Sequence, residues 1–110
     1  MTPAQFRALA LSLPGASEGA HMGHADFRVG GKVFATLGYP NEDWSMVKLP
    51  PEMQEMYVAA EPDVFTPVKG AWGRRGSTSV RLDAATRRKL AGALRTAWES
   101  ATKTSGRIAK

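Results

Sequence analysis

The sharpest run of chemistry-bearing residues is Lys69-Gly70-Ala71-Trp72-Gly73-Arg74-Arg75-Gly76. Its glycines let the backbone approach a ligand closely. Arg74 and Arg75 present planar guanidinium forks that match phosphate, and Trp72 presents a ring face on which a base can stack. The same run also reads as a hairpin loop, with glycines meeting turn geometry, Trp72 covering the edge of the core and the arginines solvated. It is not a P-loop, because no Gly-Lys-Ser/Thr closes it. Nor is it a dinucleotide fingerprint, because no helix starts at its last glycine.

A second basic cluster, Arg87-Arg88-Lys89, stands early in the last predicted helix, with Arg95 two turns beyond Arg88 and Arg81 in the strand before. Cations this near a helix N-terminus oppose the macrodipole, at a cost of about a few tenths of a kcal/mol each. Asp83, one turn earlier, is expected to cap the helix and to pair with Arg87. Arg88, Lys89 and Arg95 point away from the Leu90-Leu94-Trp98 stripe, and an exposed stripe of this kind can track a phosphate backbone. The plainer alternative is a solvated outer face.

The other reactive residue types form no recognisable machinery. His21 and His24 bracket Met22-Gly23, but two ligands do not make a metal site, and a place in a turn or at a strand end is expected for both. Glu42-Asp43 and Glu52/Glu55 fall on a turn and an exposed helix face, where nothing raises a carboxyl pKa. Met53 and Met56 read as core filling. No serine sits in a nucleophile elbow, and the chain has no cysteine, which excludes disulfides, thiolate metal sites and cysteine nucleophiles. No catalytic residue, no metal and no cofactor is therefore expected, and the protein is read as a non-enzyme.

The elements that must position these residues follow from periodicity. Thr2, Pro3 and Gln5 form a capping-box start, and Phe6, Leu9, Ala10 and Leu13 lie on one face of a helix over 3–12 that Pro14-Gly15 stops. Ala25, Phe27 and Val29 then alternate with polar residues. Gly30-Gly31 makes a tight hairpin turn, and Val33, Ala35 and Leu37 alternate with Phe34 and Thr36 on the return strand. A further turn spans 39–43, and a strand over 44–49 sets Trp44 and Met46 on one face and Val47 and Leu49 on the other. A weakly signalled strand over 19–22 precedes the first hairpin. A short helix over 51–60 carries Met53, Met56 and Tyr57 at helical spacing. Val64, Phe65 and Val68 suit an edge strand, where Pro67 is tolerated, and Thr78, Val80 and Leu82 form the last strand. The closing helix buries Leu90, Leu94 and Trp98, and a flexible basic tail is expected over 103–110.

Residues 1–102 thus read as one two-layer α+β domain: a mainly antiparallel sheet of about five strands covered by helices, in the order α, three or four β, α, two β, α. The 110-residue chain is 43% hydrophobic, enough for a real core. No apolar run approaches the roughly 18 residues of a membrane helix, and the absence of cysteine fits a cytoplasmic location.

Charge is divided unevenly. Residues 1–68 carry four basic and eight acidic side chains, whereas residues 69–110 carry eleven basic and two acidic ones, giving the net +5. A basic field packed into the last two-fifths of a small protein seeks an anionic partner.

The order of several short motifs resembles the MmcQ/YjbR family of small bacterial proteins over about residues 3–101. A first helix ends in Leu13-Pro14-Gly15-Ala16. Lys32-Val33-Phe34-Ala35 follows, then a strand from Trp44 through Met46 and Lys48 to Leu49-Pro50. Gly70-Ala71-Trp72-Gly73 finally leads into a Ser/Thr-rich strand and a long helix. The resemblance implies a CyaY-like α+β fold and a suggested DNA-binding role through paired wing-like hairpins. It brings no agreed catalytic residues. Members commonly carry tryptophan where this chain has Ser77, which weakens base stacking there and leaves Trp72 to supply it.

Two functions are carried forward. The first is a monomeric DNA- or polyanion-binding module using Lys69, Trp72, Arg74, Arg75, Arg81, Arg87, Arg88, Lys89 and Arg95. The alternative is a protein- or small-molecule-binding module using the sheet face, with Phe34, Trp44 and Tyr57 as its aromatics.

Overall fold

A computed structural model describes residues 1–38 and 41–109, with side chains through residue 103. The elements in chain order are α1 (Pro3–Leu11), β1 (Ser17–His21), β2 (His24–Val29), β3 (Lys32–Leu37), β4 (Trp44–Lys48), α2 (Pro51–Ala60), β5 (Phe65–Pro67), α3 (Ala71–Arg74), β6 (Ser77–Arg81) and α4 (Arg87–Ala109). All six strands form one antiparallel sheet in the order β1-β2-β3-β4-β6-β5. The predicted two-layer α+β class therefore holds, with β1 a full strand and the run after Gly70 a one-turn helix rather than a loop. Residues 39 and 40 of the turn expected over 39–43 lie outside the described residues, as do the side chains over 104–110 where the basic tail was expected.

Local sequence accounts for the hairpins. Met22 and Gly23 take φ of 49° and 78°, and Gly30 and Gly31 take 57° and 80°, the left-handed pairs whose twist matches that of the flanking strands. At the N-terminus the capping box forms as expected: the Thr2 hydroxyl accepts from the Gln5 amide and the Gln5 side chain accepts from the Thr2 amide.

One face of the sheet carries the core. Phe27, Ala35 and Val47 meet Phe6 and Ala10 of α1 and Leu90, Ala93, Leu94 and Ala97 of α4, all fully or almost fully buried. Burial of each large side chain contributes about 2 kcal/mol. Trp98 ties α4 to the turn that follows α1 by donating to the Pro14 carbonyl at 2.8 Å.

Strict alternation fails in β3. Phe27 pairs with Ala35, but Arg28 pairs with Val33, so Phe34 is an extra residue in a bulge. The bulge turns Phe34 into the core beside Ala35 and leaves Val33 facing the other way. The start of α4 also differs from expectation. Asp83 lies in a turn closed by bonds from the Ala84 and Ala85 amides to the Arg81 carbonyl, and Ala85 is buried. The helix begins four residues after Asp83, where the Thr86 hydroxyl accepts from the Lys89 amide, so Thr86 is the cap. Asp83 pairs with Arg81, at 3.5 Å, rather than with Arg87.

Candidate functional site

The face of the sheet turned away from α1 and α4 holds a pocket of about 490 Å³. Strand pairing sets its rows. Asp26, Thr36, Met46 and Ser79 pair in sequence across β2, β3, β4 and β6. One row on, Arg28 pairs with Val33 and Lys48 with Ser77. His21 and Met22 close one side from the first hairpin, and Val68 and Trp72 close the other.

Asp26 anchors the polar end. Its side chain is fully buried, yet three bonds hold its carboxylate. Arg28 donates from Nε to Oδ1 at 2.8 Å and from Nη2 to Oδ2 at 3.0 Å, and His21 Nδ1 lies 2.6 Å from Oδ2. The Arg28 hydrogen bonds, reinforced by His21, outweigh burial and hold the Asp26 carboxyl down at about 2, below its ordinary 3.8. The same pair pushes the Arg28 guanidinium further up. The pair fits because Gly19 stands opposite: a Cβ there would lie 2.9 Å from Asp26 Oδ1. With Nδ1 committed to the carboxylate, the His21 ring has its Nε2 edge to offer a ligand.

The floor is mixed. Thr36 is 2% exposed, and its Oγ1 has no hydrogen-bond partner among the described residues. Met46, Val33, Val68 and the strongly exposed Met22 and Trp72 supply apolar surface. Arg28 and Lys48 outnumber the single carboxylate, Asp26, among the charged lining groups.

The wall bearing Trp72 is built by close backbone approach. A Cβ on Gly73 would lie 1.6 Å from the Val68 carbonyl oxygen, and one on Gly76 would lie 1.7 Å from that of Leu49. These glycines serve contact with the chain's own backbone. Gln54, buried on α2, has its Nε2 within 2.9 to 3.1 Å of the Gly73 and Ser77 carbonyls and the Thr78 hydroxyl, which fastens α3 to β6. Met56, expected to fill the core, is instead half exposed.

The nine predicted site residues do not share one surface. Lys69, Trp72, Arg74 and Arg75 surround α3, all exposed, and the Arg75 guanidinium lies 5.9 Å from the Trp72 ring centre. Arg81 lies 5.5 Å over Trp44, at the end of the open face. Arg87, Arg88, Lys89 and Arg95 belong to α4, on the opposite layer. There Lys89 pairs with Glu61 at 3.2 Å and Arg95 lies 5.6 Å over Trp98. The aromatics proposed for the sheet face are also displaced. Phe34 is in the core, Tyr57 packs against Phe65, and Trp44 is half-buried beside Arg81.

Sequence reasoning passed over Asp26, Arg28, Thr36 and Lys48. The available signal was an i, i+2 acid–base pair on a strand, which places both groups on one face, with a threonine at the facing strand position. No three of His, Asp and Glu converge as metal ligands among the described residues.

Comparison with known proteins finds a family model, described as YjbR, that matches residues 11–100. No curated protein matches. Among solved structures, the fold is similar to the Deinococcus radiodurans protein DR2400, a DUF419 domain. The TM-score is 0.71 and the identity 20%, over 96% of this chain and 88% of that one.

Proposed function

The chain belongs to the YjbR family, and on that footing we propose that it is a non-catalytic binding module whose site is the pocket on the open sheet face, taking a small organic ligand. The observation that carries this reading is Thr36 Oγ1, a buried polar atom without a hydrogen-bond partner among the described residues, on the floor of a pocket of about 490 Å³. A buried hydroxyl left unpaired costs about 1–3 kcal/mol, and a ligand atom that parted the covering neighbours and met it would recover that loss. A mostly apolar wall with a few convergent polar groups is the usual form of a small-molecule site. The lack of cysteine is in keeping with work in the reducing cytoplasm, and no helix among the described residues is long and apolar enough to cross a membrane.

The test is a ligand-observed NMR screen of aromatic fragments against the protein and against Met46→Trp, which fills the pocket from a half-buried position. Hits that vanish with Met46→Trp support the reading. Hits that persist unchanged, or no hits at all, contradict it.

A second reading, nucleic-acid binding, is favoured by one observation: Trp72 is 61% exposed and stands beside Arg75, with Arg74 and Lys69 on the same short segment. An exposed ring next to cations suits a single strand, with bases stacked and phosphates paired. Under this reading the α3 segment binds, and the cations of α4 act only as a distant field.

A further inference from the structure

We propose that the ligand of the open-face pocket is an aromatic monocarboxylate: a flat apolar body with one anionic end, seated between Arg28 and Lys48. The inference rests on the pocket reading above and names what that pocket selects. Arg28 on β2 and Lys48 on β4 flank β3, which at ordinary strand spacing puts them roughly 10 Å apart. Val33 lies between them on the open face. Arg28 spends two of its five N–H groups on Asp26, so three still point elsewhere. Lys48 is exposed and has no ion-pair partner among the described residues. Counting Arg28, Lys48 and Asp26, the carboxylate cancels one of the two cations and leaves one net positive charge. That suits a ligand of a single negative charge better than a phosphate dianion or a cation.

The body of the ligand follows from the walls. Trp72 gives a ring face, Met22 and Met46 give polarizable thioethers that favour aromatic edges, and Val33 and Val68 complete an apolar slot. A pocket of this volume falls in the range for drug-sized ligands. Thr36 Oγ1, covered but unpaired one row from the anion seat, adds a hydrogen-bond requirement that a hydroxyl or carbonyl on the ring system would meet once the neighbours covering it shift.

Calorimetric titration with 2-naphthoate, 6-hydroxy-2-naphthoate and the uncharged 2-naphthylmethanol tests this. The acid should bind at least about tenfold tighter than the alcohol. Lys48→Met, on the exposed end of β4, should erase most of that gap while still binding the alcohol. The 6-hydroxy compound should gain affinity over 2-naphthoate in the wild type and lose the gain in Thr36→Val. Equal binding of acid and alcohol would overturn the anion seat while leaving the pocket as a ligand site. So would an acid preference that survives Lys48→Met, or one removed by Arg87→Gln with Arg88→Gln on the opposite layer. Failure of all three compounds to bind would overturn both this inference and the pocket reading.

Discussion

Gly19 on β1 faces Asp26 on β2, and a Cβ at Gly19 would stand 2.9 Å from the Asp26 carboxylate and 3.0 Å from Arg28 Nε. The missing side chain is what lets a buried carboxylate and its guanidinium lie flat across the pair of strands. Gly19→Ala should therefore push the ion pair apart and leave the hairpin intact. The expected loss is about 1 kcal/mol, measured by thermal melting, with the Arg28 Nε resonance moving in NMR as the specific sign.

The same ion pair predicts an acid limb of stability. Asp26 titrates at about 2 in the folded protein and near 3.8 when unfolded. Its contribution is fully present above about pH 4 and is lost as pH falls toward 2. Asp26→Asn should flatten that part of a stability-against-pH curve from urea melts and lower the plateau at neutral pH. A parallel shift of the whole curve, with the acid limb unchanged, would show that Asp26 is not the titrating group.

Gly73→Ala should cost about 3 kcal/mol or more, because the new methyl meets the Val68 backbone rather than a movable side chain. Gln54→Leu should cost about 1–3 kcal/mol, since it removes the buried amide that bridges α3 and β6, while the acceptors keep only their backbone bonds. Both losses are read by urea unfolding, and in both variants the fluorescence of Trp72 should report a loosened α3.

Thr36→Val should raise stability by about 1 kcal/mol, because it removes an unpaired buried hydroxyl at almost constant shape. A gain in stability coupled to weaker ligand binding is the pattern of a site that carries strain for function. A loss of stability would mean that Thr36 has a structural partner in solution.

The nucleic-acid reading makes a separate prediction. Arg74→Ala with Arg75→Ala should weaken binding to single-stranded DNA and flatten its dependence on salt, whereas Arg88→Ala with Arg95→Ala should change affinity little. Equal effects of the two pairs would return the binding surface to the whole basic C-terminal region.

The Gly30-Gly31 hairpin, the capping box at Thr2 and the edge position of Pro67 were legible because each depends on residues within a few positions. The fold class and the family resemblance followed from the order of such elements. The bulge at Phe34 was not legible, because alternation alone assigns it to the open face, and only the pairing of Arg28 with Val33, which leaves Phe34 as the extra residue, turns it into the core. Gly73 and Gly76 read as permitting a ligand's approach, yet the backbone they admit is the chain's own, brought from Val68 and Leu49. The basic residues cluster in sequence but divide in space, since α4 crosses one face of the sheet while α3 flanks the other. The pocket was invisible for the same reason: Asp26, Thr36, Met46 and Lys48 come from three strands and meet only through register.

The most direct measurement is a ¹H–¹³C methyl and indole NMR titration of the whole protein with 2-naphthoate. Shifts confined to Met22, Val33, Met46, Val68 and the Trp72 indole, with Leu90 and Leu94 unmoved, are the predicted result. Shifts centred on α4, or no response at the open face at saturating ligand, would contradict the account.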